Sequence, residues 1–325
     1  MGEGITIVLD SGNVLQGICG ANDGNLKVIE NSLGGRITAR GNEIRLEGVD
    51  GDGMQLFKKM MDNLIAVARD GEDPTPEYVN ALAKSLLPAL AETSAGKEDV
   101  ASALRDAMIQ IPHGFNRVYP RSKNQAAYIH GMRENDISFC VGPAGTGKTF
   151  LAIAEALRLV LSKKMRKLVL TRPVVEAGES LGFLPGDLSQ KINPYLRPLY
   201  DAMETLVPYE IIHRMEETRV IEIAPLAYMR GRSLNDCMVI LDEAQNTSKE
   251  QMKMFLTRIG AGAKALITGD ATQIDLPRKA DSGLLHAIEV LRKIDGIHFS
   301  FLHTDDVVRN PLIKKIIQAY HENGY

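Results

Sequence analysis

Apolar residues change their spacing part-way along the chain. From Gln125 onward, continuous apolar runs at Ile137–Val141, Lys167–Thr171, Val220–Ala224, Met238–Leu241, Ala265–Thr268 and Ile297–Phe301 alternate with stretches of helical period. Strands buried on both faces read as unbroken apolar runs, and strands alternating with helices predict a mostly parallel sheet covered by helices. The sequence has room for one such sheet, not two, and no internal repeat or low-complexity tract interrupts it.

Ahead of this region the pattern is finer. Ile5–Leu9 reads as a first strand, Asn25–Glu30 as a periodic segment, and Arg36–Ala39 with Glu43–Leu46 as a strand pair joined by the turn residues Arg40-Gly41-Asn42. Helical spacing then runs from Met54 to about Ala68, is broken at Asp70–Pro74, and resumes from Pro76 to about Ala91 behind Thr75, a candidate N-cap. Ile109 to Lys123, with Pro112, Gly114 and Pro120, has no clear period. The expected organisation is a small α+β module with a helical extension over 1–108, a linker over 109–124 and an α/β domain over 125–325.

Composition narrows the class. With 325 residues, 44% of them apolar, the chain can bury a core large enough for two domains. No apolar run approaches the roughly 18 residues of a membrane helix, and the start lacks the charged and apolar regions of a secretory signal. Met1-Gly2 with Thr6 formally matches a myristoylation pattern, yet Ile5–Leu9 reads better as a strand. The expectation is a soluble, cytoplasmic protein. Cys19, Cys140 and Cys237 are odd in number and far apart, which argues against a disulfide framework or a zinc site and for buried thiols in a reducing compartment. A net charge of −3 argues against a protein coated in positive charge for nucleic acid, although local clusters at Arg117, Arg121, Lys123 and at Arg230, Arg232 are either a basic stripe able to meet nucleic acid or a solvated face.

The densest chemistry lies at Gly142-Pro143-Ala144-Gly145-Thr146-Gly147-Lys148-Thr149, between the strand Ile137–Val141 and the helical stretch Phe150–Leu161. Glycines let the backbone wrap around a phosphate, the helix start faces it, Lys148 reaches the β- and γ-phosphates, and the Thr149 hydroxyl ligates magnesium. Such a loop calls for a nucleoside triphosphate with Mg2+. Downstream, Met238–Leu241 ends in Asp242-Glu243, and neighbouring acids at a strand end can divide their work: Asp242 toward magnesium through water, Glu243 polarising the attacking water. Gln273, after Thr268-Gly269-Asp270, is a candidate γ-phosphate sensor. Gln125 is either an ordinary polar residue at a helix start or a reader of the adenine edge that selects ATP. Arg309, in Asp306–Pro311, either stabilises charge on the transferring phosphate or forms a structural ion pair.

Taken together, Gly142–Thr149, Thr171–Glu179, Leu181–Gly186, Ala224–Arg232, Leu241–Asn246 and Gly269–Gln273 resemble the PhoH family of bacterial P-loop ATPases over about residues 115 to 325. The resemblance implies a core similar to the first motor domain of superfamily-one helicases, with Gln125 near the adenine, the Asp242-Glu243 pair and the Gly269–Gln273 motif. It also implies cytoplasmic ATP hydrolysis with links to RNA metabolism and phosphate starvation. One motor-type domain leaves the site without the arginine a second domain would supply, so the expectation is a ring-like homo-oligomer, such as a hexamer, in which Arg309, Arg230 or Arg232 reaches the next subunit's ATP.

The N-terminal module resembles the KH-like RNA-binding domain of some family members through Gly17-Ile18-Cys19-Gly20, the following helix, and Ile37, Ile44 and Leu46. It departs from a KH loop in holding Ile18 and Cys19 and being followed by Asp23, with no basic residue to meet a phosphate. The module is therefore either an RNA-binding element or an oligomerisation and packing domain. The leading expectation, from the family resemblance, is an ATPase coupled to single-stranded RNA. The alternative is a nucleotide-dependent switch acting on a protein partner; a small-molecule phosphotransferase is disfavoured, because paired acids of this kind activate water.

Overall fold

The computed structural model describes residues 4–69, 73–86, 97–113, 115–173 and 188–307. The chain divides into two compact units, Met1–Met108 with Tyr119–Ala126, and Ile109–Val118 with Ala127–Tyr325.

In the first unit, β1 (Gly4–Val8), β2 (Arg36–Arg40) and β3 (Glu43–Glu47) form an antiparallel sheet in the order β1-β3-β2. Period-two alternation sorts its side chains: Ile37, Ile44 and Leu46 are buried, while Arg36, Thr38, Arg40, Glu43, Arg45 and Glu47 are exposed. On the exposed face Arg36 stands opposite Glu47, and Arg40 opposite Glu43, so each cation of β2 has an acid across the ladder. Between the first two strands lie α1 (Gly12–Cys19), capped by Ser11, and α2 (Gly24–Leu33), which ends at Gly34 in the left-handed conformation. The helix α1 was not foreseen in the sequence pattern. Within Gly17–Gly20, Ile18 and Cys19 are buried, and the Asn25 side-chain amide donates to Ile18 O at 3.0 Å and to Pro74 O at 2.7 Å. These residues therefore face the interior of the unit.

The long α3 (Gly51–Arg69) buries Leu56, Phe57, Met60, Met61, Leu64 and Val67, a stripe at helical spacing in which each side chain contributes about 1.5–3 kcal/mol. Thr75 caps α4 (Pro76–Leu86) by accepting from Tyr78 N–H at 3.3 Å, and α5 (Lys97–Asp106) completes the unit's helices among the described residues.

In the second unit a two-residue antiparallel ladder, β4 (Ile109–Gln110) with β5 (Arg117–Val118), occupies part of the segment read as an irregular linker. Next come α6 (Lys123–Glu134), whose first residues belong to the other unit, β6 (Ile137–Val141), α7 (Lys148–Leu161), β7 (Lys167–Arg172), α8 (Leu188–Glu204), α9 (Tyr209–Glu217) and β8 (Ile221–Pro225). The chain continues through β9 (Cys237–Leu241), α10 (Lys249–Leu256), β10 (Lys264–Gly269), α11 (Gly283–Leu291) and β11 (Ile297–Phe301). The six strands β6 to β11 make one parallel sheet in the order β11-β6-β10-β9-β7-β8, with helices in the connections between strands, an α/β architecture.

All five residues of β9 are buried, as are Phe139, Cys140 and Val141 of β6. Lys264, at the start of β10, donates its ammonium to the carbonyls of Met132, Arg133 and Asn135 at 2.7–3.3 Å and so caps the end of α6. All three cysteines are buried and unpaired, and burial pushes the Cys140 thiol far above its ordinary value. Among the described residues no helix is long and apolar enough to cross a membrane.

Candidate nucleotide site

Because β10 lies between β6 and β9, the segments that follow all three strands meet at one end of the sheet. Gly142 N–H donates to Gly269 O at 3.1 Å, and Leu302 N–H donates to Val141 O at 2.8 Å, so the glycine-rich loop starts wedged against the ends of β10 and β11. A Cβ on Gly142 would stand 2.5 Å from Leu302 O, which leaves room for glycine alone. Gly145 and Gly147 are both left-handed, and α7 begins at once with Lys148. The first N–H groups of that helix have no intrahelical acceptor, the ordinary condition of a helix start and the reason it attracts anions.

Lys148 is buried and folds back along the loop, donating to Gly142 O at 2.6 Å and Pro143 O at 2.8 Å. Burial holds its ammonium below the usual lysine value; Cys140, Asp270, Glu243 and Asp242 offset this only in part. The Thr149 hydroxyl donates to Asp242 Oδ1 at 2.6 Å, and Thr268 Oγ1 donates to the same oxygen at 2.7 Å. Asp242 N–H is fixed in turn by Thr171 O at 2.9 Å.

Glu243 has φ 52° and ψ 40°, a left-handed conformation that costs a non-glycine residue about 1 kcal/mol or more. Its carboxylate is held from both sides: Gln245 Nε2 donates to Oε2 at 2.5 Å, and Arg172 Nη2 donates to Oε1 at 2.9 Å. Gln245 Oε1 accepts from Asp270 N–H at 2.9 Å, and Asp270 Oδ2 accepts from Ala144 N–H at 3.0 Å. A chain of hydrogen bonds thus runs from the loop through Asp270 and Gln245 to Glu243.

The structure brings together Gly142 to Thr149, Asp242 and Glu243, as the spacing predicts. Gln273 is exposed at the end of β10's following turn, with its N–H donating to Asp270 O at 3.2 Å. Gln125 falls in the first compact unit, where its Oε1 accepts from Arg121 N–H at 2.6 Å. Arg309 lies outside the described residues, as does the whole segment from Val174 to Gly186. Arg232 is engaged within its own chain: its guanidinium donates to Glu222 at 2.6 and 3.0 Å, and Lys167 joins the same carboxylate. Arg232, with burial opposing and Lys167 assisting, draws the Glu222 carboxyl down to about 2. Arg230, by contrast, is exposed. Sequence reasoning assigned no part to Arg172, Thr268, Gln245 or Asp270, although each follows or ends an apolar run where strand ends carry chemistry.

The family model for PhoH-like proteins matches residues 117–321. The chain belongs to the PhoH-like family. It is 45% identical to the PhoH-like protein of Mycobacterium bovis over 308 residues, 95% of this chain and 85% of that one. The PhoH-like protein of Bacillus subtilis is also 45% identical, over 94% of this chain and 93% of its own length. Protein PhoH of Escherichia coli is 38% identical over 205 residues, 62% of this chain and 58% of that protein. Among solved structures, the Pif1 helicase of Candida albicans matches with a TM-score of 0.33 at 15% identity, covering 61% of this chain and 42% of that chain. Family membership and the parallel sheet together make this a nucleotide-binding P-loop protein.

Proposed function

We propose that the chain hydrolyses ATP with Mg2+ and couples that turnover to single-stranded RNA. The observation that carries the hydrolytic half is the Thr149 hydroxyl donating to the Asp242 carboxylate at 2.6 Å, with the pinned Glu243 next in sequence. A hydroxyl and a carboxylate are the hard oxygen donors Mg2+ prefers, and the ion completes its shell with waters and substrate phosphates. Consistent with that, no group of three or more His, Cys, Asp or Glu side chains forms a dedicated metal cage among the described residues. When bound, Mg2+ would neutralise charge on the β- and γ-phosphates.

Lys148 would leave its two loop carbonyls for the phosphates, where its charge meets an anion directly and its burial is offset further. Glu243 accepts the hydrogen bond of the attacking water; the water oxygen bonds to the γ-phosphorus as one of its protons passes to Glu243, the bond to the β,γ-bridging oxygen breaks, and ADP and inorganic phosphate leave.

The RNA half rests on the family and not on the N-terminal sheet, whose exposed cations already face acids. We further propose that a second copy of the chain completes the site in a ring-like oligomer, with the exposed Arg230 as the contributing residue among those described. Three buried, unpaired thiols suit a reducing, cytoplasmic setting.

Phosphate release from ATP tests the reading. Lys148→Ala and Glu243→Gln should each lower turnover by about 10²–10³-fold, with Glu243→Gln still binding nucleotide. Wild-type turnover should rise with single-stranded RNA, the stimulation falling as salt rises, and turnover per subunit should climb with protein concentration. A rate indifferent to RNA at low salt would favour a nucleotide switch acting on a protein; a monomer in solution with full turnover would remove the second copy.

A further inference from the structure

Arg172 is the last residue of β7, and the neighbouring strand β9 is followed directly by the two acids of the site. Its guanidinium reaches both: Nη2 donates to Glu243 Oε1 at 2.9 Å, and Nε stands 3.9 Å from Asp242 Oδ2. The Arg172 side chain is 19% exposed and that of Glu243 36%, so solvent screens the pair in part and its value lies in geometry more than in stability. A carboxylate oxygen has two lone-pair sites. Arg172 takes one on Oε1 and Gln245 takes one on Oε2, which fixes the plane of the carboxylate and leaves a lone pair on each oxygen to accept from water.

We propose that Arg172 is a positioning residue for hydrolysis. It holds Glu243 in the orientation that accepts from the attacking water, and its fork spans two adjacent carboxylates that would otherwise repel each other into other rotamers. The inference rests on the hydrolytic reading given above. An ammonium is a point charge and cannot span both acids in this way, so the demand is for arginine in particular. Backbone geometry ties the same two strands: Asp242 N–H donates to Thr171 O at 2.9 Å, so any shift of β7 moves the acids with it.

Full-length Arg172→Ala and Arg172→Lys, compared with wild type, test this by turnover at saturating ATP, affinity for a non-hydrolysable ATP analogue, and thermal melting. For Arg172→Ala, kcat should fall on the order of 10²-fold while analogue affinity stays within about threefold, and added guanidinium should restore at least about fivefold. Arg172→Lys should remain at least about tenfold below wild type, and it carries the test if the alanine variant does not fold. An unchanged or raised kcat overturns the proposal, as does a loss confined to nucleotide affinity or full recovery with lysine. If wild type binds the analogue yet releases no phosphate from ATP, the hydrolytic reading itself fails and takes this one with it. A slow variant of an active enzyme is a different result.

Discussion

In the three-stranded sheet the charged residues lie along the strands; in the six-stranded sheet they lie beyond the strand ends. Arg36 and Arg40, the end residues of β2, and Arg45, in the middle of β3, are balanced within the sheet by Glu43 and Glu47, with Arg45 Nε 2.7 Å from Glu47 Oε1. Asp242, Glu243 and Asp270 instead follow strands whose interiors are apolar, and their partners come from other segments: Thr149, Arg172 and Ala144. The difference teaches where reactivity can be stored. A charge with a partner built into its own ladder contributes stability and little else, whereas charges gathered at the open end of a sheet stay poised for a ligand.

The largest test of that contrast is at Gly142. Gly142→Val puts side-chain atoms against Leu302 O, where even a Cβ would sit at 2.5 Å, and should weaken nucleotide binding at least about 100-fold by shifting the loop. Calorimetric titration with an ATP analogue measures it, and unchanged affinity would mean the loop is not the ligand's seat. Next in size is Leu46→Ala in the three-stranded sheet, where Leu46 is fully buried: stability should drop by about 2–4 kcal/mol in denaturant unfolding, with analogue affinity within about twofold. A large affinity loss there would break the division of labour between the sheets.

The smallest effect concerns Glu222, an acid of the larger sheet that is balanced in the manner of the smaller one. Its folded value of about 2 lies below the ordinary carboxylate range, so its contribution is complete above that range and is lost as pH falls toward about 2. Glu222→Gln should therefore cost on the order of 1 kcal/mol near pH 6, and the gap to wild type should narrow by about pH 3.5. A gap that widens on acidification would refute the ion-pair account.

The six parallel strands were legible in the sequence because a strand covered on both faces must be apolar throughout; every predicted end lies within one residue of the observed one. The glycine-rich loop and Asp242-Glu243 were legible because their spacing is local. Arg172 was not: its partner Glu243 is 71 positions away, and an arginine after an apolar run looks like any solvated strand end. Gln245 and Asp270 escaped for the same reason, being joined across 25 positions only once β9 and β10 lie side by side. The helix α1 was hidden by its shortness, eight residues starting at a glycine with a second at Gly17, too few turns for a clear period.

The strand order β11-β6-β10-β9-β7-β8 also bears on how the chain acquires its ligand. The strand β6, which carries the loop, pairs with β10 and β11, both made much later in the chain, while β7 to β9 wait on the other side of β10. No early fragment of the sheet can bring the loop together with Asp242 and Asp270, because these follow strands that join it only when β9 and β10 dock. Nucleotide therefore gains its full set of contacts late in folding. It rewards the completed sheet most, and binding doubles as a sign that folding of the core has finished.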